Sequence, residues 1–186
     1  MRVVGGRLRG RALAQPPDRS IRPTSDRVRE AVFNILEHGI EDLELQGARV
    51  LDLFAGTGAL GIEALSRGAL TCLFVDNDTR ARAVIRKNIE TFGLGGTTRV
   101  LRSDATNLGF STNRNTFSLV FVDPPYGQGL AECALNSARD YGWLESGAII
   151  VVEEATATQL AWPDGFSEHT RRTYGATQIA IGQFSG

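Results

Sequence analysis

From residue 50 onward, short apolar runs alternate with helical patterns, and this alternation restricts the chain to very few architectures. Residues 50–54, 71–76, 97–101, 117–122 and 148–152 are dense in aliphatic and aromatic side chains and read as strands. Between them, 59–67, 79–92 and 130–141 read as helices; Ala81, Val84, Ile85, Ile89 and Phe92 line one face of the second. Strands separated by helices need crossover connections, so they lie parallel in one sheet with helices on both faces. The last two strand-like stretches, 167–174 and 176–182, have no helix between them and predict an antiparallel hairpin at one edge. The expected fold is a doubly wound α/β domain.

Upstream of the alternation, residues 2–14 are arranged around Gly5, Gly6 and Gly10 and predict a small β-hairpin, and Pro16, Pro17 and Pro23 predict an extended stretch. Ser25 or Asp26 then caps an amphipathic helix whose apolar positions are Val28, Ala31, Val32, Ile35 and Leu36, ending near Gly39. A chain of 186 residues has room for one core domain and a short appendage. The expected division is an N-terminal hairpin-and-helix extension, 1–40, and an α/β domain, 41–186.

Charge divides the chain the same way. Residues 1–29 carry eight arginines and two acids, a local charge of +6, whereas the other 157 residues carry 12 bases and 19 acids, a charge of −7. A cationic arm of this kind seeks an anionic partner, and arginine suits bidentate phosphate contacts and stacking on bases. No apolar run approaches the ~18 residues of a membrane span, and arginines interrupt residues 1–11 wherever a leader's apolar core would lie. A cytoplasmic monomer is expected. Cys72, Cys133, His38 and His169 are mutually isolated and offer no material for a metal site.

Asp52-Leu53-Phe54-Ala55-Gly56-Thr57-Gly58-Ala59-Leu60-Gly61 sits at the first strand-to-helix crossing, where such sheets bind ligands. Gly56, Gly58 and Gly61 satisfy the G-x-G-x-x-G dinucleotide fingerprint, and Asp76 follows Gly56 by 20 residues. A nicotinamide or flavin enzyme is therefore a competitor. Against it, Asp52 brings an acid towards a site that would have to accept pyrophosphate. The chain is also short for a substrate domain, and Lys87 is its only lysine, so the tyrosine-lysine pair of short dehydrogenases is missing.

S-adenosylmethionine, cationic and free of phosphate, suits the loop better. Gly56 and Gly58 would admit it, Asp52 would hold its cationic methionine end directly or through water, Asp76 would accept the ribose hydroxyls and Asp104 the adenine amine. Phe54, Asn77 and Ala105 flank these positions and complete the expected cofactor set.

Asp123-Pro124-Pro125-Tyr126 follows the strand at 117–122. Two prolines cannot continue a ladder and hold the chain extended, which fixes a carboxylate and neighbouring carbonyls at the sheet edge. Such acceptors suit a planar amine: Asp123 and the Pro124 carbonyl would accept hydrogen bonds from its two N–H donors, redirecting the lone pair to attack, and Tyr126 would stack on the base. A base in a duplex must leave its stack to reach such a pocket.

The glycine loop with D-P-P-Y resembles the class I S-adenosylmethionine-dependent amino-methyltransferases. More narrowly, Gly5-Gly6-x-x-Arg9-Gly10-Arg11, Arg22-Pro23-Thr24-x-Asp26-Arg27-Val28-Arg29-Glu30 with Phe33-Asn34, and Phe54 through Arg67 resemble the bacterial 16S rRNA guanine-N2 methyltransferases. The resemblance covers essentially the whole chain. It implies a seven-stranded Rossmann-like methyltransferase sheet, an N-terminal RNA-contacting extension, a 30S particle or assembly intermediate as partner, and N2-methylguanine as product.

Carried over, Asp123, Pro124, Pro125 and Tyr126 form the catalytic tetrapeptide. Arg2, Arg7, Arg9, Arg11, Arg22, Arg27 and Arg29 become candidate RNA contacts. The last three could instead hold the methionine carboxylate or brace the N-terminal helix. Phe33, off its helix's apolar stripe, either packs in the core or faces the cofactor. Competing readings keep the cofactor but change the acceptor to DNA or a protein glutamine amide, or make the chain a non-enzymatic RNA-binding factor.

Overall fold

The computed structural model describes residues 1–15, 25–41, 43–111 and 116–186. Strands β1 (Arg49–Leu53), β2 (Thr71–Val75), β3 (Thr98–Leu101), β4 (Phe117–Val122), β5 (Leu144–Ala155), β6 (Phe166–Tyr174) and β7 (Thr177–Phe184) form one sheet in the order β3-β2-β1-β4-β5-β7-β6. The first five are parallel, and β7 runs antiparallel to both β5 and β6. The order reverses between β1 and β4, so the loops leaving those two strands diverge and leave a crevice at the carboxyl edge.

Among the described residues, four helices cover the faces: α1 (Asp26–His38), α2 (Ala59–Ser66), α3 (Thr79–Phe92) and α4 (Leu130–Asp140). Alternation along β1 sorts its side chains between two cores. Val50 joins Val32, Phe33, Ile62, Ile85 and Phe121 on the face that holds α1, α2 and α3. Leu51 and Leu53 join Leu135, Trp143 and Ile150 on the face of α4. All eight residues of α2 are buried, and a Cβ at Gly61 would lie 2.5 Å from both Cys72 Sγ and the Phe74 ring. Glycine at 61 therefore sets how closely α2 lies on the sheet.

The arm folds back on itself as the expected hairpin, with Val3 N–H donating to the Arg11 carbonyl at 3.0 Å, Gly10 N–H to the Val3 carbonyl at 2.8 Å and Leu13 N–H to the Met1 carbonyl at 3.2 Å. It forms one antiparallel bridge, Arg2 with Ala12, around a 3-10 turn at Gly6–Leu8. Other amides of the arm reach α2: Val4 and Gly5 donate to the Glu63 carboxylate at 2.8 and 2.7 Å, and Leu8 donates to Ser66 Oγ at 2.9 Å. The arm is thus built onto α2, and Val3, Leu8 and Leu13 enter the same core as Phe33. A Cβ at Gly6 would lie 2.0 Å from the Ser66 carbonyl, so the glycine permits this contact.

At the other end, β5 extends well past the expected 148–152 in both directions. It starts before a register shift opposite Phe117 and continues through Glu153 and Glu154.

Candidate active site

The glycine loop begins with backbone strain. Phe54 is a non-glycine residue at φ +57°, followed by Gly56 at +56° and Gly58 at +75°. A left-handed non-glycine residue costs about 1–3 kcal/mol and persists only where its surroundings dictate it. Here Ala55 N–H donates to the Val75 carbonyl at 3.1 Å and Gly58 N–H to Ala55 at 2.7 Å, which closes the turn into α2.

Asp76, at the end of β2, organises the loop. One carboxylate oxygen accepts Gly56 N–H at 2.8 Å, and the other accepts Asp78 N–H at 2.8 Å. Burial pushes the Asp76 carboxyl up, against the opposite pull of those two amides. A side chain that the sequence did not flag supports the other side. Asn88, buried on α3, donates to the Thr57 carbonyl at 3.0 Å and accepts Ala14 N–H at 2.7 Å, tying the glycine loop to the end of the arm.

Asp52 is 1% exposed, on the α2 face, and accepts Gly61 N–H at 3.0 Å. Burial, reinforced by the charge of Asp76, pushes its pKa to about 8, against the pull of Gly61 N–H. Burial thus favours the protonated form, and the side chain braces the first turn of α2. Asp104, beyond β3, is exposed and accepts both the N–H and the hydroxyl of Thr106, at 2.9 and 2.7 Å. Ala105 beside it is buried, and Asn77 is exposed.

Asp123 follows β4 directly, its N–H donating to the Leu53 carbonyl at 3.4 Å. The tetrapeptide therefore starts beside the strained residue Phe54. Asp123 is half-buried, Pro124 buried and Pro125 exposed. Tyr126 is half-buried, its hydroxyl donating to Glu153 Oε1 at 2.7 Å and lying 3.3 Å from Thr177 Oγ1. Burial first, then the Glu153 hydrogen bond and the charges of Glu153 and Asp123, push the tyrosine hydroxyl upward and keep it protonated. The next residue, Gly127, donates its N–H to Glu154 at 3.0 Å. Glu153 and Glu154 were missed in the sequence, although two acids ending an aliphatic strand at a sheet's carboxyl edge are a readable signal.

The arginines separate into two groups. Arg2, Arg7, Arg9, Arg11 and Arg27 are exposed. Arg11 also donates to the Thr91 carbonyl at 2.7 Å and lies over the Phe92 ring. Arg29, by contrast, is 0% exposed. It pairs with Asp26 at 2.8 Å and Glu63 at 3.4 Å and donates to the Arg2 carbonyl. It is a brace between arm, α1 and α2, which corrects its reading as an RNA contact. Arg22, with Pro16, Pro17, Pro23 and Thr24, lies outside the described residues. Phe33 packs in the core, 5.7 Å from Phe121 and beneath the Arg67 guanidinium.

A cavity of about 510 Å³ lies between Arg49, Thr71, Thr98 and Phe117, at the amino ends of the strands and therefore opposite the glycine loop. Among the described residues no cluster of three His, Cys, Asp or Glu side chains could hold a metal ion, and no helix is long and apolar enough to cross a membrane.

A seven-stranded Rossmann-like sheet, with a glycine loop after β1, an acid ending β2 and D-P-P-Y after β4, defines a class I methyltransferase. Comparison with known proteins narrows the class: the family described as Conserved hypothetical protein 95 matches residues 1–183, and the chain belongs to that family. The Escherichia coli (strain K12) protein named Ribosomal RNA small subunit methyltransferase D is 40% identical over 185 residues, 98% of this chain and 89% of that protein. YlbH of Bacillus subtilis (strain 168), a candidate rRNA methyltransferase by its name, is 40% identical over 184 residues, 97% of each chain. The solved structure of Escherichia coli yhhF superimposes with a TM-score of 0.84 at 35% identity, covering 100% of this chain and 98% of that one.

Proposed function

We propose that the protein transfers a methyl group from S-adenosylmethionine to the exocyclic N2 of a guanine in 16S rRNA, on a 30S particle or its assembly intermediate. The observation that carries this reading is the adjacency of the D-P-P-Y turn to the glycine loop across the β1–β4 switch point. The names of the 40% identical relatives support the ribosomal substrate.

The residues present suit the cofactor. Gly56 and Gly58 adopt the positive φ that keeps side chains out of the loop. Asp76 turns one oxygen to Gly56 of the loop and the other to Asp78 N–H, and each keeps a further lone pair for a ribose hydroxyl. Asp104, three residues beyond the end of β3, would accept from the adenine amine. Strands are spaced about 4.8 Å apart, so Asp76 on β2 and Asp123 after β4 are separated by about 10 Å, a span suited to a nucleoside with its methionine tail. Phe54, Asn77 and Ala105 border that span. When bound, S-adenosylmethionine supplies an electrophilic methyl group.

The chain's own residues prepare the acceptor. Asp123 and the Pro124 carbonyl accept hydrogen bonds from the two N–H groups of the guanine amine and turn its lone pair out of the ring plane. As positive charge develops on nitrogen, the Asp123 carboxylate stabilises it, and Tyr126 stacks on the base. Pro125 holds the turn rigid. Arg2, Arg7, Arg9, Arg11 and Arg27 form a cationic surface for RNA phosphates; Arg22 belongs to the same motif. The protein works as a monomer in the cytoplasm.

Replacing Asp123 with Ala tests the reading: methyl transfer falls sharply while calorimetry still shows cofactor binding. Undiminished transfer would remove Asp123 from the chemistry.

A further inference from the structure

We propose that Glu153 is a positioning residue for the acceptor base, holding the Tyr126 ring in place through its hydroxyl. The inference rests on the reading of the D-P-P-Y turn as the acceptor site. Its basis is the pair of carboxylates that ends β5. Glu153 is 7% exposed and Glu154 1%, directly after the buried aliphatic run Ala148 to Val152. Buried carboxylates persist where each meets donors.

Consecutive strand residues face opposite sides of a sheet, and these two reach the same turn from both sides. Glu154 accepts Gly127 N–H at 3.0 Å, Ala155 N–H at 2.8 Å and the Thr158 hydroxyl at 3.3 Å. Its role is to fix main chain after D-P-P-Y and after β5. Glu153 instead takes a side chain, Tyr126, with Thr177 of β7 beside the same hydroxyl. Main chain at 127 and hydroxyl at 126 are thereby anchored to one strand, and the ring between them has little rotational freedom.

A ring that stacks on a splayed base works best when its orientation is set before the base arrives, because the ordering cost is then met in folding rather than in binding. Phenylalanine at 126 would provide the same stacking surface but no donor for Glu153. The pair therefore adds orientation to stacking. Docking of a large RNA through the arginine arm is separate from this contact, so losing Glu153 changes turnover more than RNA affinity.

The test uses the full-length protein as wild type, E153A, E153Q, Y126F and the E153A/Y126F double variant. Cofactor calorimetry supplies the folded, binding-competent fraction by which each rate is normalised. Glu153→Ala lowers kcat for RNA by about 10- to 100-fold with KM nearly unchanged, the scale of a misplaced reacting group. Glu153→Gln, which keeps an acceptor oxygen, stays within about threefold of wild type. The double variant loses no more than the worse single one, as expected of two ends of one contact. NMR of tyrosine-labelled protein reads the restraint without turnover: the Tyr126 ring becomes mobile in E153A and stays held in E153Q.

Wild-type kcat in E153A, losses that multiply in the double variant, or a Tyr126 ring equally held in E153A would each overturn the role of Glu153. A wild type that holds the ring but methylates no RNA would instead overturn the acceptor assignment.

Discussion

The carboxylate of Glu63 accepts the main-chain N–H of Gly5, 58 residues earlier in the chain, at 2.7 Å. The same carboxylate accepts Val4 N–H at 2.8 Å and pairs with Arg67 at 2.9 Å and Arg29 at 3.4 Å. The side chains of Glu63 and Arg29 have no solvent exposure. The cationic arm is therefore mounted on the glycine-loop helix through a buried ionic network. A Cβ at Gly5 would lie 2.3 Å from the Arg67 guanidinium, which explains the glycine at the mounting point.

Removing Arg29 leaves Glu63 buried beside fewer donors. Replacing it with Ala lowers stability by about 3–5 kcal/mol, the range for breaking a buried ion pair from one side. Lysine does not restore it, because one ammonium cannot serve Asp26, Glu63 and the Arg2 carbonyl from the guanidinium's positions. Urea denaturation of the three proteins checks this; an R29A variant as stable as wild type would contradict the brace.

Arg7 and Arg9, both exposed at the 3-10 turn, give a separate prediction. Changing both to Ala weakens binding to ribosomal RNA and makes its log–log salt dependence shallower by about 1 per arginine. Cofactor affinity does not change. Filter binding across a salt series, with calorimetry for the cofactor, separates the two effects, and an unchanged slope would deny the arm its phosphate contacts.

Asp76→Ala removes the acceptor for Gly56 N–H and the carboxylate proposed for the ribose. Cofactor Kd rises by about 10- to 100-fold, as expected for the loss of charge-assisted hydrogen bonds. Isothermal calorimetry reads it directly. Wild-type affinity would show that the glycine loop needs no support from β2.

For Asp52, the predicted variable is pH. Its folded-state pKa is about 8, above the ordinary value of 3.8, so the fold retains a proton that the unfolded chain releases. Its contribution is full below the unfolded value and is lost as pH rises towards about 8. Asparagine keeps an acceptor for Gly61 N–H and does not titrate. The Tm of apo D52N therefore gains on that of wild type as pH is raised from about 5 to about 8. A gap that stays constant or shrinks would contradict a protonated Asp52.

Much of this was legible because period and punctuation agree. α3 occupies Thr79–Phe92 and β4 Phe117–Val122, the bounds that their apolar patterns indicate, and Ser25 caps α1 by accepting Val28 N–H. That D-P-P-Y follows a strand at the sheet edge was legible, whereas its place beside the glycine loop comes from the pairing of β4 with β1. What failed to show depended on partners distant in sequence. β5 runs through Glu153 and Glu154 because their backbone pairs with Ile179 and Gln178 of β7, and the carboxylates are buried against Tyr126 and Gly127, facts that local hydropathy does not contain. Arg29 looked like its neighbour Arg27, yet one is buried against Glu63 and the other is exposed. Charge alone cannot sort a brace from a docking residue. Asp52 gave the same difficulty: an acid at the end of a strand was legible, its direction beneath α2 was not.

The most direct measurement is methyl transfer from radiolabelled S-adenosylmethionine to 30S particles, naked 16S rRNA and DNA, followed by nucleoside analysis. The account predicts labelled N2-methylguanosine from the ribosomal substrate. Label confined to DNA, in another nucleoside or in protein, or no label from a protein that binds the cofactor, would contradict it.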